Sequence, residues 1–278
     1  MAIKYLAGER LIGTAAERAA LAGGVDKANI KGYYQFEEAT SGNLINQATS
    51  GNGFADGTGS TNDGSSTGTG VTRVSGKVGS YAYEFDGAST ASVLIGNGII
   101  SGTGAYTIAG WFWKDADVGQ TALYLGNTQE MINYSYSTKK MTGHNTPAVN
   151  ATTSANLGQW HHTAITRGEG GATVAKIYYD GTLEATGTNS TSINTTAGRI
   201  GGISTVDEQW DGKIDELIIA DRAFTASEIS SIYNGGTGGT LASMPLVTTN
   251  LPNGTIFEES DTGKHYMFDG TDTWNEIT

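Results

Sequence analysis

The sequence predicts an all-β protein, an antiparallel sandwich of short strands, and three observations carry the prediction. Glycine holds 41 of 278 positions and proline only 3, about twice the ordinary glycine usage of ~7%. Runs of four to eight β-branched and aromatic residues recur along the chain, and most stop at Gly, Asn or Asp. No long helical pattern alternates with these runs, which excludes a parallel sheet crossed by helices.

Residues 1–31 form a first segment. "GTAAERAALAGG" (Gly13–Gly24) reads as a short helix with Thr14 as N-cap, Glu17 closing a capping box and Gly23–Gly24 stopping it. Such a helix falls short of the ~12–15 residues needed in isolation. It is therefore expected to dock on this chain or a neighbour. Strand signals begin at Tyr33. The Gly/Ser/Thr/Asn run from Ser41 to Gly70 is poor in core residues and reads as a long surface loop or edge. Its Asp56 and Asp63 lack the spacing of an EF-hand loop.

The body follows as "YAYEFDG", "ASVLIGN", "YTIAGWFWKD", "TALYLGN", "MINYSYS", "WHHTAITRG", "VAKIYYDGTLEATG", "RIGGIS" and "KIDELIIA". Asp180-Gly181 marks a two-residue hairpin turn. After Ala220, Thr225 and Glu228 form a capping box, Phe224 and Ile229 a hydrophobic staple, and Asn234-Gly235 a left-handed stop. The short helix between them is expected to plug one open end of the sandwich. Beyond Gly238, "GTIFEESDTGKHYMFDGTDTWNEI" reads as a three-stranded meander, too small to be stable alone. The expected organisation is therefore 1–31, an arm with a short helix; 32–237, the sandwich; and 238–278, the meander.

The formal charge is −12 and no Lys/Arg cluster occurs. A polyanion or an anionic membrane would be repelled, so neither nucleic acid nor membrane insertion is expected. With no cysteine, disulfides and thiolate metal sites are excluded. The opening "MAIKYLAGERLIG" has neither an apolar signal core nor a membrane-spanning run.

Four stretches, "GKVGSYAYEFDG", "YTIAGWFWKD", "GQWHHTAITRGEGGATVAKIYYDGTLEATG" and "WDGKIDELIIADRAFTASEISSIYNGG", resemble in order the laminin-G-like, concanavalin A-like jelly rolls. The resemblance spans about residues 32–237 and implies an antiparallel jelly-roll sandwich. Such domains share fold more than activity. The flanks are similar to terminal segments of phage and virus structural proteins, the last one through Asp261, Thr262, Lys264, Tyr266, Gly270 and Trp274. Together these imply a non-enzymatic structural and adhesion subunit on a virion or extracellular surface. Its implied partners are further copies or other virion proteins, and a glycan or host receptor. A freestanding carbohydrate-binding module is the alternative, and a glycoside hydrolase of the same fold a second.

The resemblance also implies a structural calcium ion at the sandwich edge. Asp215 would hold it with Glu38 (or Glu37) and the Asp86-Gly87 turn, since calcium takes six to eight oxygens. The competing reading has Asp215 capping backbone amides and Asp86 making an Asx turn. Hydrolases of this fold carry a Glu-x-Asp-x-(x)-Glu strand, which "DEQWDGKIDE" does not reproduce. No catalytic residue is therefore assigned. His161 and His162 are adjacent on a strand and face opposite ways, so they cannot readily chelate one ion. A glycan rim is expected at Tyr134, Tyr136, His144, Asn145 and Trp210, where aromatic and amide side chains fall in expected end loops.

Overall fold

A computed structural model of the protein describes residues 4–6, 10–13, 18, 29–39, 43–45, 47, 62–66, 69–88, 90–96, 98–126, 130–143, 147–194, 198–203, 208–241, 254–269 and 274–277. The N-terminal helix with Thr14 and Glu17, and Asp56, lie outside these residues. The chain divides into two compact units, residues 27–242 and residues 1–26 with 243–278.

The larger unit is a sandwich of two sheets. The long-stranded sheet runs in the order Thr182–Thr188, Gly171–Tyr179, Trp160–Gly168, Tyr106–Lys114, Asp211–Ala220, Tyr81–Asp86, Val71–Ser75, and Ile30–Tyr34 also pairs with Asp211–Ala220. The facing sheet runs Val149–Asn150, Lys140–Gly143, Glu130–Ser135, Gln120–Tyr124, Gly198–Ile200, Val93–Ile95, Gly64–Ser66, Asn43–Leu44. The run expected as a loop or edge thus supplies the edge pair, Asn43–Leu44 with Gly64–Ser66. All pairings in both sheets are antiparallel.

Alternation along each strand sends every second side chain between the sheets. Ile108 and Phe112, Ile165, Ile177, Ile214, Leu217 and Ile219 meet Leu123, Ile132, Met141, Val93 and Ile200 there, with Trp210 fully enclosed among them. The turn Asp180-Gly181 takes positive φ at both residues (47° and 75°), which matches the right-handed twist of the strands it joins.

The strand Asp211–Ala220 carries a β-bulge. Ala109 pairs with Ile218 and Trp111 with Asp215, so Glu216 and Leu217 together oppose Gly110 alone. Glu216 supplies the left-handed residue, with φ 49°. In a regular strand Asp215 and Glu216 would face opposite ways. Here Ile214 and Leu217 both enter the core, and the two carboxylates between them go to the outer side.

The helix Ala226–Tyr233 has the capping box expected: Thr225 Oγ1 accepts from the Glu228 amide, and the Glu228 carboxylate accepts from the Thr225 amide. Phe224 and Ile229 are fully buried, and Asn234 sits at φ 48°, ψ 50°. Its position differs from the expectation. Tyr233 stacks on Trp111 at 5.7 Å. Trp111 points away from the core, since its neighbour Phe112 enters it. The helix therefore covers the outer face of the long-stranded sheet and does not plug an end. Trp111 and His162 supply the apolar surface that draws it there. No described helix is long and apolar enough to cross a membrane.

The smaller unit joins the two chain ends in one sheet, ordered Lys4–Leu6, Arg10–Gly13, Ile256–Glu259, His265–Phe268, Trp274–Ile277. The last three strands are the meander read from the sequence. The first two were missed as strands, and Arg10–Gly13 runs parallel to Ile256–Glu259. Leu11, Phe257, Tyr266, Phe268 and Trp274 form its core. Arg18 bonds Glu259 Oε1 at 2.7 Å and lies 3.6 Å above the Tyr266 ring. The two terminal segments, each expected to need a partner surface, form one body with each other.

Candidate functional site

The carboxylates at the bulge are enclosed. Asp215 Oδ2 accepts the Lys77 and Val78 amides at 2.8 and 2.9 Å, and its Oδ1 accepts the Glu216 amide at 2.9 Å. Burial pushes its carboxyl up to about 7, against the pull of those amides. Glu216 is held by the Tyr33 hydroxyl, which also accepts the Leu241 amide at 3.0 Å. Burial, reinforced by Asp215, raises Glu216 to about 8. Tyr33 itself is raised by burial and by Glu216. The pair ties the bulge to the 77–78 turn and to the segment after the helix.

The residues named for calcium do not converge. Asp86 pairs with Asp211, four residues along the strand from Asp215, a span of roughly 13 Å at ~3.3 Å per residue. Asp86 Oδ1 accepts the Ala88 amide at 2.9 Å in an Asx turn, and Gly87 supplies that turn's positive φ of 72°. The Glu38 carbonyl accepts from the Tyr83 hydroxyl at 3.2 Å, and burial raises its carboxyl. The neighbouring Glu37 accepts the Ser80 and Tyr81 amides at 2.8 and 3.1 Å. Among the described residues no three His, Cys, Asp or Glu side chains are grouped to hold a metal ion. The named residues do not gather round a single point: Asp215 already accepts three amides, and the Asp86-Gly87 turn lies four residues along the strand from it.

The expected glycan rim separates in the same way. Trp210 is fully buried, edge-on to Phe112 at 6.0 Å, so it is core and not rim. Tyr134 is 2% exposed, its hydroxyl donating to Asp117 at 2.9 Å. Tyr136 is 59% exposed, and Lys139 lies 5.2 Å above its ring. His144 and Asn145 lie outside the described residues. His161 bonds Asp180 at 2.8 Å and stacks on Tyr179, while His162 turns the other way under the helix.

A different constellation lies on the outer face of the long-stranded sheet. One rung sets Thr72 opposite Glu84, Glu84 opposite Lys213, Lys213 opposite Trp113 and Trp113 opposite Trp160. Phe85, Ile214 and Phe112 enter the core, so Glu84, Lys213 and Trp113 share the other face. Trp113 and Trp160 meet edge-to-face at 5.9 Å, both half-buried. Lys213 Nζ stands 4.3 Å above the Trp113 ring and 3.8 Å from Glu84. The next rung sets Asp86 opposite Asp211, and the Asp115 amide donates to the Asp211 carbonyl at 3.0 Å. Trp113 Nε1 donates to Asp115 Oδ1 at 2.8 Å, linking the two rungs. Gly70, Thr72, Glu84, Phe85, Asp86, Asp115 and Asp211 line a cavity of about 340 Å³ beside them.

Sequence reasoning passed over this face. "WFWKD" does signal, by alternation, that Trp111 and Trp113 share one side. It does not show that the helix covers Trp111 while Trp113 stays half open beside charged residues.

Comparison with known proteins places the fold. The laminin G model of the concanavalin A-like lectin/glucanases superfamily matches residues 85–230, more than half of the chain. The chain belongs to this superfamily. A search of curated proteins finds no match. Several solved structures share the fold of this chain. Domain 4 of an extracellular GH43 arabinanase from Geobacillus stearothermophilus, in complex with arabinotriose, is 20% identical with a TM-score of 0.53, covering 74% of this chain and 98% of that domain. The Trypanosoma rangeli sialidase is 14% identical with a TM-score of 0.55, covering 76% of this chain and 33% of the sialidase. This chain therefore spans about a third of that enzyme. The binding domain of Paraclostridial Mosquitocidal Protein 1 is 12% identical with a TM-score of 0.55, covering 90% of this chain and 67% of that domain. At these identities the likeness concerns the concanavalin A-like fold alone.

Proposed function

We propose that the protein is a non-catalytic adhesion subunit whose sandwich contacts glycans through the outer-face patch of Trp113, Trp160, Glu84 and Lys213. The observation that carries this is the rung itself: two half-buried tryptophans next to a cavity lined by carboxylates, with Trp113 bonded to one of them, Asp115. An aromatic face packs against the C–H surface of a sugar, and carboxylates accept hydrogen bonds from its hydroxyls. The arabinotriose complex of the arabinanase domain shows a sugar on a related fold and supports the reading. The non-catalytic part rests on Asp215 and Glu216, whose burial beneath Tyr33 and the 77–78 turn leaves no room for a substrate.

The test is a glycan array probed with the whole protein, then with Trp113→Ala and Trp160→Ala. Retention of glycans that both variants lose supports the patch, whereas retention of none overturns it. Release of reducing ends in the same solutions would replace adhesion by hydrolysis.

A second part concerns assembly. The sheet built from both chain ends has open edges at Lys4–Leu6 and Trp274–Ile277 among the described strands. Open edges are templates for pairing with another chain. The reading is that this unit joins copies, or other virion proteins, on a virion or extracellular particle. Light scattering tests it: a stable oligomer supports assembly, and a monomer at high concentration removes it.

A further inference from the structure

We infer that the outer-face patch accepts uncharged, hydroxyl-rich sugar chains and excludes acidic ones. This rests on the glycan reading above and adds the charge class of its ligand. The site is made by the two tryptophans and the adjoining cavity; the surrounding charges decide what enters.

Those charges are one-sided. Glu84, Asp86, Asp115 and Asp211 line the cavity, while Lys213 is the cation on the rung. Its ammonium already lies between the Glu84 carboxylate (3.8 Å) and the Trp113 ring (4.3 Å). Arg73, next to Thr72 on the edge strand, is turned to the Tyr81 ring at 4.0 Å and to the Glu37 carbonyl at 3.3 Å. Lys114, next to Trp113, points inward to Gln120 and the Asp211 carbonyl. No described cation next to these positions is therefore left facing the cavity.

Asp86 and Asp211 stand directly opposite one another, an arrangement that like charges ordinarily oppose. A sugar hydroxyl entering the cavity can donate a hydrogen bond to the Asp211 carboxylate or to Asp86 Oδ2, Asp86 Oδ1 being held by the Ala88 amide. A sugar carboxylate would add a third negative charge within a few ångströms, inside the ~8–10 Å over which salt leaves charges unscreened. The formal charge of −12 deepens the same field.

The experiment uses the whole protein on an array that pairs neutral oligosaccharides with the same chains ending in sialic or uronic acid. Affinities of the retained pairs are then measured in low and high salt. The expected result is that neutral chains bind, that Trp160→Ala abolishes this, and that acidic counterparts bind at least about tenfold more weakly. The gap should narrow in high salt and in the double variant Glu84→Gln, Asp211→Asn. Should that variant fail to fold, the salt titration of the unaltered protein still decides. Acidic chains binding as well as neutral ones, with both lost in Trp160→Ala, would overturn the charge class and leave the glycan site standing. Binding of neither, or binding indifferent to Trp113→Ala and Trp160→Ala, would overturn the glycan reading and the charge class with it.

Discussion

The imidazole of His162 is wholly enclosed, with Trp111 edge-on at 5.3 Å and Tyr233 at 6.1 Å, and neither ring nitrogen has a hydrogen-bond partner. Burial pushes its pKa down to about 4, only partly opposed by Asp180. The unfolded chain takes up this proton near 6.5 and the folded chain near 4, so the unfolded state binds more protons between them. Stability from this site is therefore complete above about 6.5 and is lost as pH falls towards 4, on the order of 3 kcal/mol in all. Asp215 and Glu216, whose carboxyls are raised, contribute with the opposite sign over the same range. The His162 part is therefore read as a difference in urea unfolding at pH 7 and at pH 4.5: His162→Phe should lose less stability, or gain more, than the unaltered protein as pH falls. Equal pH slopes in the two proteins would sink the assignment. That the two histidines face opposite ways was legible from their adjacency; the depth of His162 was not, because the helix that covers it lies about 70 residues further along the chain.

At the scale of elements, local rules held where an element's own residues decide its ends. Thr225 and Glu228 cap the helix as their spacing predicts, and Arg222 adds an ion pair to Glu228 at 2.9 Å. Thr225→Ala should cost about 1 kcal/mol, read as a lower midpoint in thermal unfolding. An unchanged midpoint would mean that the Arg222–Glu228 pair holds the turn without the cap. Local rules failed at the strand Asp211–Ala220. Its bulge sets Asp215 and Glu216 on one side, and nothing in "KIDELIIA" marks which residue takes the left-handed conformation. Trp113 and Trp210 make the same point: the buried tryptophan was expected at a rim and the half-open one in an ordinary strand, since burial depends on the strand or sheet opposite.

At the scale of the molecule, the chain ends form one sheet separate from the sandwich, with the sandwich inserted between its parallel strands in sequence. Parallel strands need a long connection, and here the connection is residues 14–255. The sandwich contains its own core and should fold without the ends. The fragment 27–242 should therefore unfold cooperatively near the midpoint of the sandwich in the whole protein. Removal of 243–278 alone should leave Lys4–Leu6 and Arg10–Gly13 unprotected in hydrogen exchange, because Arg10–Gly13 loses its partner strand. A fragment 27–242 that is unfolded would show that the two units share one folding transition.

The sequence by itself determined the strand-rich class, the Asp180-Gly181 hairpin, the caps of the helix and the C-terminal meander. Each is fixed by side chains within a few residues, through backbone preference, alternation or a cap. The superfamily motifs were legible for the same reason, as runs of contiguous residues. Only the tertiary structure decided which tryptophans are buried, how the bulge turns two carboxylates outward, and that the two ends pair. It alone assembled the rung of Glu84, Lys213, Trp113 and Trp160, residues up to 129 positions apart. Register between distant strands is set by how two whole faces pack, and no short stretch of chain contains that choice.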